Sequence, residues 1–279
     1  MNRLAAVLIA AVLLVAPSQA RAAQVDKDPN SGCSVRVHYP NPVPAGVNTF
    51  ILAVGTAMSR SDYDNLANQL VAKGYVAVIM DHQPGSLTKT DAGKFTSCVN
   101  TVKSQIASWL SPAGFTSVSH WILGGHSAGG QAAHYAVAAT PSLADAMFSI
   151  DPYNLSSAPN VHGPALYWGF ASTTCFVTVN DAAKAAYART TGHREEVKVG
   201  SVNAFNPCGY SPKYYHCSFA DGSCPACTSC TLPPASFFID IANTVQKFVN
   251  AAFYTGWSRA ALTVSTTTPV SFYVDGDQP

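Results

Sequence analysis

A serine with a glycine two residues away on each side is the feature of this sequence best suited to chemistry. Residues 125–129 (GHSAG) follow a short apolar run at 120–124 and precede an Ala-rich stretch that favours helix. A serine at such a strand–turn–helix junction lies on a sharp, exposed turn, where glycines let the backbone approach its neighbours closely. The pattern therefore predicts a nucleophile elbow of the kind that serine hydrolases use, with Ser127 as the nucleophile.

An activated serine requires a base, and the base requires an acid that orients it. In open sheets of parallel strands, the chemistry lies beyond the carboxyl ends of the strands. Asp151 directly follows the predicted strand 146–150 and leads into a turn, so it is the predicted acid. The next predicted strand, 165–170, has no carboxylate at its tip. Asp181 is the alternative acid, but its place ahead of residues 182–189 indicates a helix cap.

His216 is the predicted base, because it follows the last predicted strand, 195–203, in a loop ahead of the closing helix. His162 and His193 precede their strands and are therefore expected at the opposite edge of the sheet. His126, inside the elbow, is expected to pack behind the turn, since it cannot reach round to the adjacent hydroxyl. The remaining histidines are expected to be structural or at the surface: His38, His82, His120 and His134.

Two backbone N–H groups are needed to stabilise the oxyanion of a serine hydrolase. One is expected from Ala128, directly after the nucleophile. The other is expected from the loop after the apolar strand 48–54, where Thr56 is favoured and Gly55 is the next candidate.

A cysteine-rich loop, residues 217–230, follows the predicted base. In it, Phe219 is expected to pack and Asp221 to anchor the loop. The spacing of Cys224, Cys227 and Cys230 also occurs in zinc sites, but cysteines of an exported protein oxidise, so disulfides are favoured and no metal is predicted. The chain has eight cysteines, an even number, and the sequence leaves their pairing open.

Strands and helices alternate along the chain. Uninterrupted apolar runs at 48–54 and 75–80 are typical of strands that are covered on both faces. Helices are predicted at residues 62–73, 91–110, 130–139 and 235–253, an early strand at 34–40, and an edge strand or ordered extension after residue 257. This order predicts an α/β fold with a mostly parallel central sheet and helices on both of its faces.

The N-terminus has the pattern of a secretory signal. Arg3 precedes an apolar run at 4–15, and residues 20–22 (ARA) form a small-x-small cleavage site. We therefore predict a signal peptide at 1–22 and a secreted or periplasmic protein. An uncleaved membrane anchor is the alternative, and no second segment is apolar enough to cross a membrane.

The chain is predicted to form one catalytic domain that needs no cofactor, and its composition argues against a nucleic-acid partner. Charged residues make up 11% of the chain, and the formal net charge is +1. Without a basic patch, nucleic acid is not expected as a ligand. No linker divides residues 23–279, which are predicted to form a single domain and a monomer.

Three segments carry a family resemblance: residues 125–130, the pair Asp151-Pro152, and residues 216–221. They resemble the chlorophyllase and platelet-activating-factor acetylhydrolase branch of the α/β-hydrolases, which places its acid one strand earlier than many relatives. Residues 54–57 and 70–75 are similar to bacterial cutinase-like polyester hydrolases. Those enzymes have a Gly-Tyr-Thr-Ala loop, whereas this chain has Gly-Thr-Ala without the tyrosine. The cysteine-rich loop matches neither group.

The resemblance and the motifs together predict a secreted serine carboxylic ester hydrolase for an apolar or short-acyl ester. A catalytically silent binding domain and a serine peptidase of the same fold remain alternatives. Peptidases of this fold usually carry a propeller or a large cap, for which this chain has no length. Aromatic residues could line an acyl or alcohol site or belong to the core: Tyr153, Tyr167, Trp168 and Phe170.

Overall fold

A computed structural model describes residues 21–81, 91–170, 181–200, 216–221 and 233–277. Residues 1–20 of the predicted signal peptide lie outside the described residues. So do His82 and the cysteines at positions 175, 208, 224, 227 and 230. Strand β1 (Arg21–Asn30) begins two residues ahead of the predicted mature start.

A nine-stranded sheet forms the centre of the described residues. Its middle consists of parallel strands, in the spatial order β4 (Val76–Asp81), β3 (Val47–Ala53), β5 (Val118–His126), β6 (Ala146–Ile150), β8 (Ala165–Phe170) and β10 (Arg194–Val199). The alternation of strands and helices predicted this mostly parallel arrangement. All these strands therefore end at one edge of the sheet.

Antiparallel strands flank the parallel centre. On one side β2 (Cys33–Asn41) pairs with β4, and β1 pairs with β2. On the other side β11 (Val270–Val274) pairs with β10, which confirms the edge strand predicted after residue 257. Two short strands, β7 (Val161–His162) and β9 (Thr190–Thr191), pair with each other outside this sheet.

Helices cover both faces of the sheet. One face packs against α1 (Asp64–Ala72) and α5 (Ala235–Asn250), with α6 (Arg259–Leu262) beside α5. The other face packs against α2 (Ala92–Leu110), α3 (Ala128–Ala139) and α4 (Ala182–Ala188). Alternate residues of β3 show why its apolar run is uninterrupted: Phe50 and Leu52 lie in the first core and Ile51 and Ala53 in the second.

Several predicted boundaries differ from the observed ones. The predicted helix 62–73 begins as a 3-10 turn, Arg60–Tyr63, because Ser59 and Asp62 form a capping box ahead of it. The closing helix ends at Asn250 and continues as a π-helical turn, Ala251–Thr255. Strand β10 ends at Val199, and residues 201–203 of the predicted strand lie outside the described residues.

A disulfide joins Cys33 at the start of β2 to Cys98 in α2, across 65 residues of chain. Closing a loop of this length stabilises a fold by about 4 kcal/mol through the entropy of the unfolded chain. Cys217 is disulfide-bonded as well, and its partner lies outside the described residues. The oxidised cysteines are compatible with export. Across the described ranges, every helix is too short or too polar to traverse a bilayer.

Candidate active site

Ser127 occupies a sharp turn between the end of β5 and the start of α3. Its backbone has φ 52° and ψ −122°, a conformation that residues with a Cβ atom rarely adopt. Its N–H donates to the Ile150 carbonyl at 3.2 Å, and its carbonyl accepts from the Tyr153 and Gln131 N–H groups at 2.9 and 3.0 Å. These bonds hold the turn in place, and the residue is less exposed than predicted, at 7%.

The glycines around Ser127 permit the close backbone contact that the motif predicted. A Cβ atom at Gly125 would lie 2.4 Å from the Ala53 carbonyl oxygen, and one at Gly129 would lie 2.3 Å from the same atom. Both contacts are shorter than any carbon–oxygen packing distance, so only glycine fits there. The backbone of the elbow therefore packs directly against the end of β3, where the predicted oxyanion loop begins.

Asp151 and His216 form a buried hydrogen-bonded pair. The Nδ1 atom of His216 lies 2.6 Å from Oδ2 of Asp151, and each side chain is 2% exposed. Because an ionised carboxylate only accepts hydrogen bonds, Nδ1 carries the hydrogen. The Nε2 atom of a neutral His216 then keeps its lone pair, which is the state that a general base requires.

Asp151 is itself held in a strained position just beyond β6. Its backbone has φ 39°, and its N–H donates to the Trp168 carbonyl at 2.6 Å. Positive φ at residues other than glycine costs about 1–3 kcal/mol and is concentrated at functional sites. Positive φ occurs just after the ends of three parallel strands. It is found at Ser127 and Asp151, directly after β5 and β6, and at Ala57, four residues after β3.

The structure brings the predicted acid and the predicted base into contact, and the turn that carries the predicted nucleophile lies beside them. The ring of His126, the residue before Ser127, lies 4.4 Å from the ring of His216. Within the described residues, the Ser127 hydroxyl makes no hydrogen bond to His216. Contacts of this kind are often long in a free enzyme and shorten when the substrate binds.

The described segment that carries His216 is held by Phe219 and Asp221. It forms a 3-10 turn, His216–Phe219, and Phe219 is fully buried, 5.2 Å from the Phe170 ring and 5.3 Å from Phe237. The Asp221 N–H donates to the Asp62 carbonyl, and the Asp221 carboxylate accepts from the Asn65 N–H at 2.6 Å. The predicted packing of Phe219 and anchoring by Asp221 are thus confirmed.

Of the two N–H groups predicted as the second oxyanion donor, that of Thr56 remains the candidate. The Gly55 N–H donates to the Tyr63 hydroxyl at 3.0 Å, so it is not free to bind an oxyanion. Gly55 also accepts from the Met58 N–H at 3.2 Å, which closes a turn around Thr56 and Ala57. Among the described residues, the N–H groups of Thr56 and Ala128 meet no acceptor, as their predicted role requires.

Asp181 does not act as the helix cap that its position predicted. It precedes α4, but its side chain makes no capping hydrogen bond. Its carboxylate instead binds the ammonium of Lys198 on β10, at 3.0 Å. The tertiary ion pair therefore replaces the local hydrogen bond, and the carboxylate has no histidine partner within the described residues.

The other candidates take structural positions. Tyr167, Trp168 and Phe170 are fully buried in the two cores, which favours the core alternative, and of the four aromatic candidates only Tyr153 is partly exposed. His162 is the second residue of the short strand β7, and His193 directly precedes β10 and pairs with Asp275 at 3.0 Å. The rest of the described histidines are buried or stacked: His38, His120 and His134.

Tyr63 is the residue of this site that sequence reasoning missed. It belongs to the 3-10 turn ahead of α1, and its buried hydroxyl contacts both Gly55 and His126. No local pattern distinguishes it from an ordinary apolar position.

Within the described residues, no group of His, Cys, Asp and Glu side chains is arranged to hold a metal ion. The cysteines of the zinc alternative lie outside these residues. No protein-family model matches the chain, and no curated protein matches it. Function is therefore inferred from the geometry of the site.

Proposed function

We propose that this chain is a secreted serine carboxylic ester hydrolase with the α/β-hydrolase fold. The observation that carries the proposal is the buried 2.6 Å contact between Asp151 and His216, beside a serine in a strained turn. A charged carboxylate and an imidazole are expensive to bury, and so are several positive φ angles in one place. Such a combination is expected where the groups perform a reaction.

In the proposed reaction, His216 Nε2 removes the proton of the Ser127 hydroxyl as Oγ attacks the ester carbonyl carbon. The negative charge on the carbonyl oxygen is stabilised by the N–H groups of Ala128 and Thr56. His216 then returns the proton to the departing alcohol, which leaves an acyl group on Ser127. Water, deprotonated by the same Nε2, attacks this acyl group, and His216 then gives that proton to Oγ of Ser127 as the acid is released.

Asp151 acts in this mechanism by orienting the imidazole and by stabilising its charged form. Its hydrogen bond to Nδ1 fixes the tautomer in which Nε2 carries no hydrogen. No proton needs to pass to the carboxylate. A substitution that reverses the hydrogen bond would leave Nε2 protonated and unable to act as a base.

The proposed substrate is an apolar or short-acyl ester, as the resemblance to chlorophyllases, acetylhydrolases and cutinase-like enzymes implies. A silent binding domain is the competing function. It is disfavoured because a buried acid–base pair and a strained serine cost free energy of folding, and binding alone does not require them. A serine peptidase would use the same residues, so only substrate tests separate it from an esterase.

The Ser127→Ala variant tests the proposal. It should fold normally and lose p-nitrophenyl butyrate hydrolysis by about 10⁴-fold or more, because the members of a triad act as a unit. Ser149→Ala is the matched control, since Ser149 is a fully buried serine on β6 whose hydroxyl has no hydrogen bond within the described residues. A Ser127→Ala variant that retains its activity would rule out the assignment.

A further inference from the structure

A continuous chain of hydrogen bonds passes behind the elbow. The Gly55 N–H donates to the Tyr63 hydroxyl at 3.0 Å, and that hydroxyl lies 2.7 Å from Nδ1 of His126. On the other side of the ring, Nε2 of His126 lies 3.0 Å from the backbone carbonyl of His216. The chain thus joins the oxyanion loop to the residue that carries the proposed base.

The direction of every bond in this chain is determined. A carbonyl only accepts, so Nε2 of His126 carries the hydrogen that binds His216. A neutral imidazole has one N–H, so Nδ1 accepts and the Tyr63 hydroxyl donates to it. The hydroxyl oxygen then accepts from Gly55. Each donor meets one acceptor, which no other tautomer of His126 would allow.

The surroundings keep both side chains neutral. Burial, reinforced by the neighbouring His216, holds the pKa of His126 well below its usual value. Burial also raises the pKa of the Tyr63 hydroxyl. Both shifts favour the neutral side chains, which the deduced directions of the hydrogen bonds require.

We propose that His126 is a positioning residue, which with Tyr63 fixes the backbone of His216 relative to the oxyanion loop. The inference rests on the proposed function, since it concerns the geometry of that reaction. The other described anchor of the His216 segment on this side is Asp221, which binds Asp62 and Asn65 beyond the oxyanion loop and does not contact the loop itself. Misplacement of a catalytic group by about 1 Å can lower a rate by about 10²-fold.

His134 offers a matched control for His126. It is also fully buried, and its Nε2 atom also contacts a backbone carbonyl, that of Pro159, at 2.9 Å. Burial lowers its pKa in the same way. It differs in lying farther along α3, away from the loops of the site. Replacing it removes the same kind of contact without disturbing His216.

The first experiment compares His126→Leu, His126→Gln and His134→Leu in p-nitrophenyl butyrate hydrolysis. We expect His126→Leu to lower kcat by about 10²-fold with KM changed by less than about threefold. His126→Gln should recover part of the loss, because its amide N–H can reach the His216 carbonyl. His134→Leu should keep kcat within about threefold. Equal losses in the two Leu variants, or no loss in His126→Leu, would overturn the proposal.

The second experiment uses proton NMR of the Nδ1 hydrogen that His216 shares with Asp151, which needs no turnover. We expect its resonance to shift and exchange faster with water in His126→Leu, and to be unchanged in His134→Leu. Were the wild-type protein inactive toward esters, the proposed function would fail while this comparison still tested the link. An unchanged resonance in His126→Leu would overturn the link.

Tyr63→Phe covers the case in which His126→Leu does not fold. It removes one hydroxyl, breaks the chain at Gly55 and at His126, and retains the ring. Tyr167→Phe is its control, because Tyr167 is equally buried and its hydroxyl binds Thr190 Oγ1 at 2.8 Å, away from the site. The His216 resonance and kcat should change in Tyr63→Phe alone. The opposite ranking, or no change in either variant, contradicts the proposal.

Discussion

Two aspartates near the same edge of the sheet have similar backbones and different partners. Asp151 follows β6 with φ 39°, and Asp181 precedes α4 with φ 57°. The Asp151 carboxylate binds an imidazole at 2.6 Å, whereas the Asp181 carboxylate binds the ammonium of Lys198 at 3.0 Å. Position alone therefore does not separate the proposed catalytic acid from a structural carboxylate.

The difference lies in what each partner can still do. An imidazole that donates through one nitrogen keeps a lone pair on the other, so it can take a proton from a serine. An ammonium has three donors and no acceptor, so the partner of Asp181 has no lone pair with which to take a proton from a serine. Burial opposes the charge of Lys198, but its contacts with Asp181 and Glu196 outweigh burial and raise its pKa.

The largest effect is expected from exchanging one carboxylate at a time. Asp151→Asn should lower kcat by about 10⁴-fold, because an amide favours the wrong tautomer of His216. Asp181→Asn should change kcat by less than about threefold. Ester hydrolysis by both variants, with circular dichroism to verify folding, measures the contrast. If Asp181→Asn were the more damaging change, the acid would have been assigned to the wrong carboxylate.

A smaller effect on kcat is expected from loosening the segment that carries His216, the partner of Asp151. Lys198 lies within β10, whereas His216 is followed by Cys217, a buried and disulfide-bonded residue. Cys217→Ser should therefore lower kcat on the order of 10-fold to 10²-fold with the fold retained, since a loosened loop misplaces its base.

The double variant Cys33→Ala/Cys98→Ala is the control for Cys217→Ser. It should lower the free energy of unfolding by about 4 kcal/mol and leave kcat unchanged. Dithiothreitol treatment should likewise reduce the rate before circular dichroism changes. Full activity after verified reduction of all cysteines would contradict this prediction, and bound zinc by elemental analysis would favour the metal alternative instead.

The smallest effect on activity is expected at Glu196, which lies 3.6 Å from Lys198 and is fully buried. Burial raises the pKa of Glu196 to about 7, although Lys198 opposes the rise. Since the folded state holds this proton more tightly than the unfolded state, the free energy of unfolding falls as pH increases from about 4.5 to about 7. Each tenfold difference in proton affinity contributes about 1.4 kcal/mol, so the fall over this interval is about 3 kcal/mol.

Glu196→Gln removes this titration, so its free energy of unfolding should fall less over the same pH interval, while kcat changes less than about twofold. Urea denaturation of both proteins at pH values of about 4.5, 6 and 7.5 provides the measurement. Parallel pH dependences in the two proteins would show that Glu196 is ionised in the fold throughout.

The sequence predicted the parts of the fold that local pattern controls. Residues 146–150 and 165–170 form strands with the predicted boundaries, since uninterrupted apolar runs suit strands covered on both faces. Strand β1 was not predicted, because its residues are mostly polar and it exists through pairing with β2. An ion pair between Arg36 and Asp26, at 2.8 Å, lies across that pairing.

The candidate site likewise contains residues that local pattern predicted and contacts that it did not. Ser127, Asp151 and His216 were found because each follows the end of a predicted strand, and strand ends can be recognised locally. The contacts of Tyr63 with Gly55 and His126 depend on distances across the fold, to residues 8 and 63 positions away. Asp181 likewise pairs with Lys198 across the fold. Aspartate is frequent at helix N-caps, but this tendency does not determine the partner of a particular side chain.

The most direct test of the central claim is labelling with a fluorophosphonate, followed by mass spectrometry of the peptides. Asp151 and His216 are claimed to activate Ser127, so the wild-type protein should carry one adduct, on Ser127. The labelling rate should fall by several orders of magnitude in Asp151→Asn and change little in Asp181→Asn. An adduct on another residue, no adduct on folded protein, or equal rates in the two variants would contradict the claim.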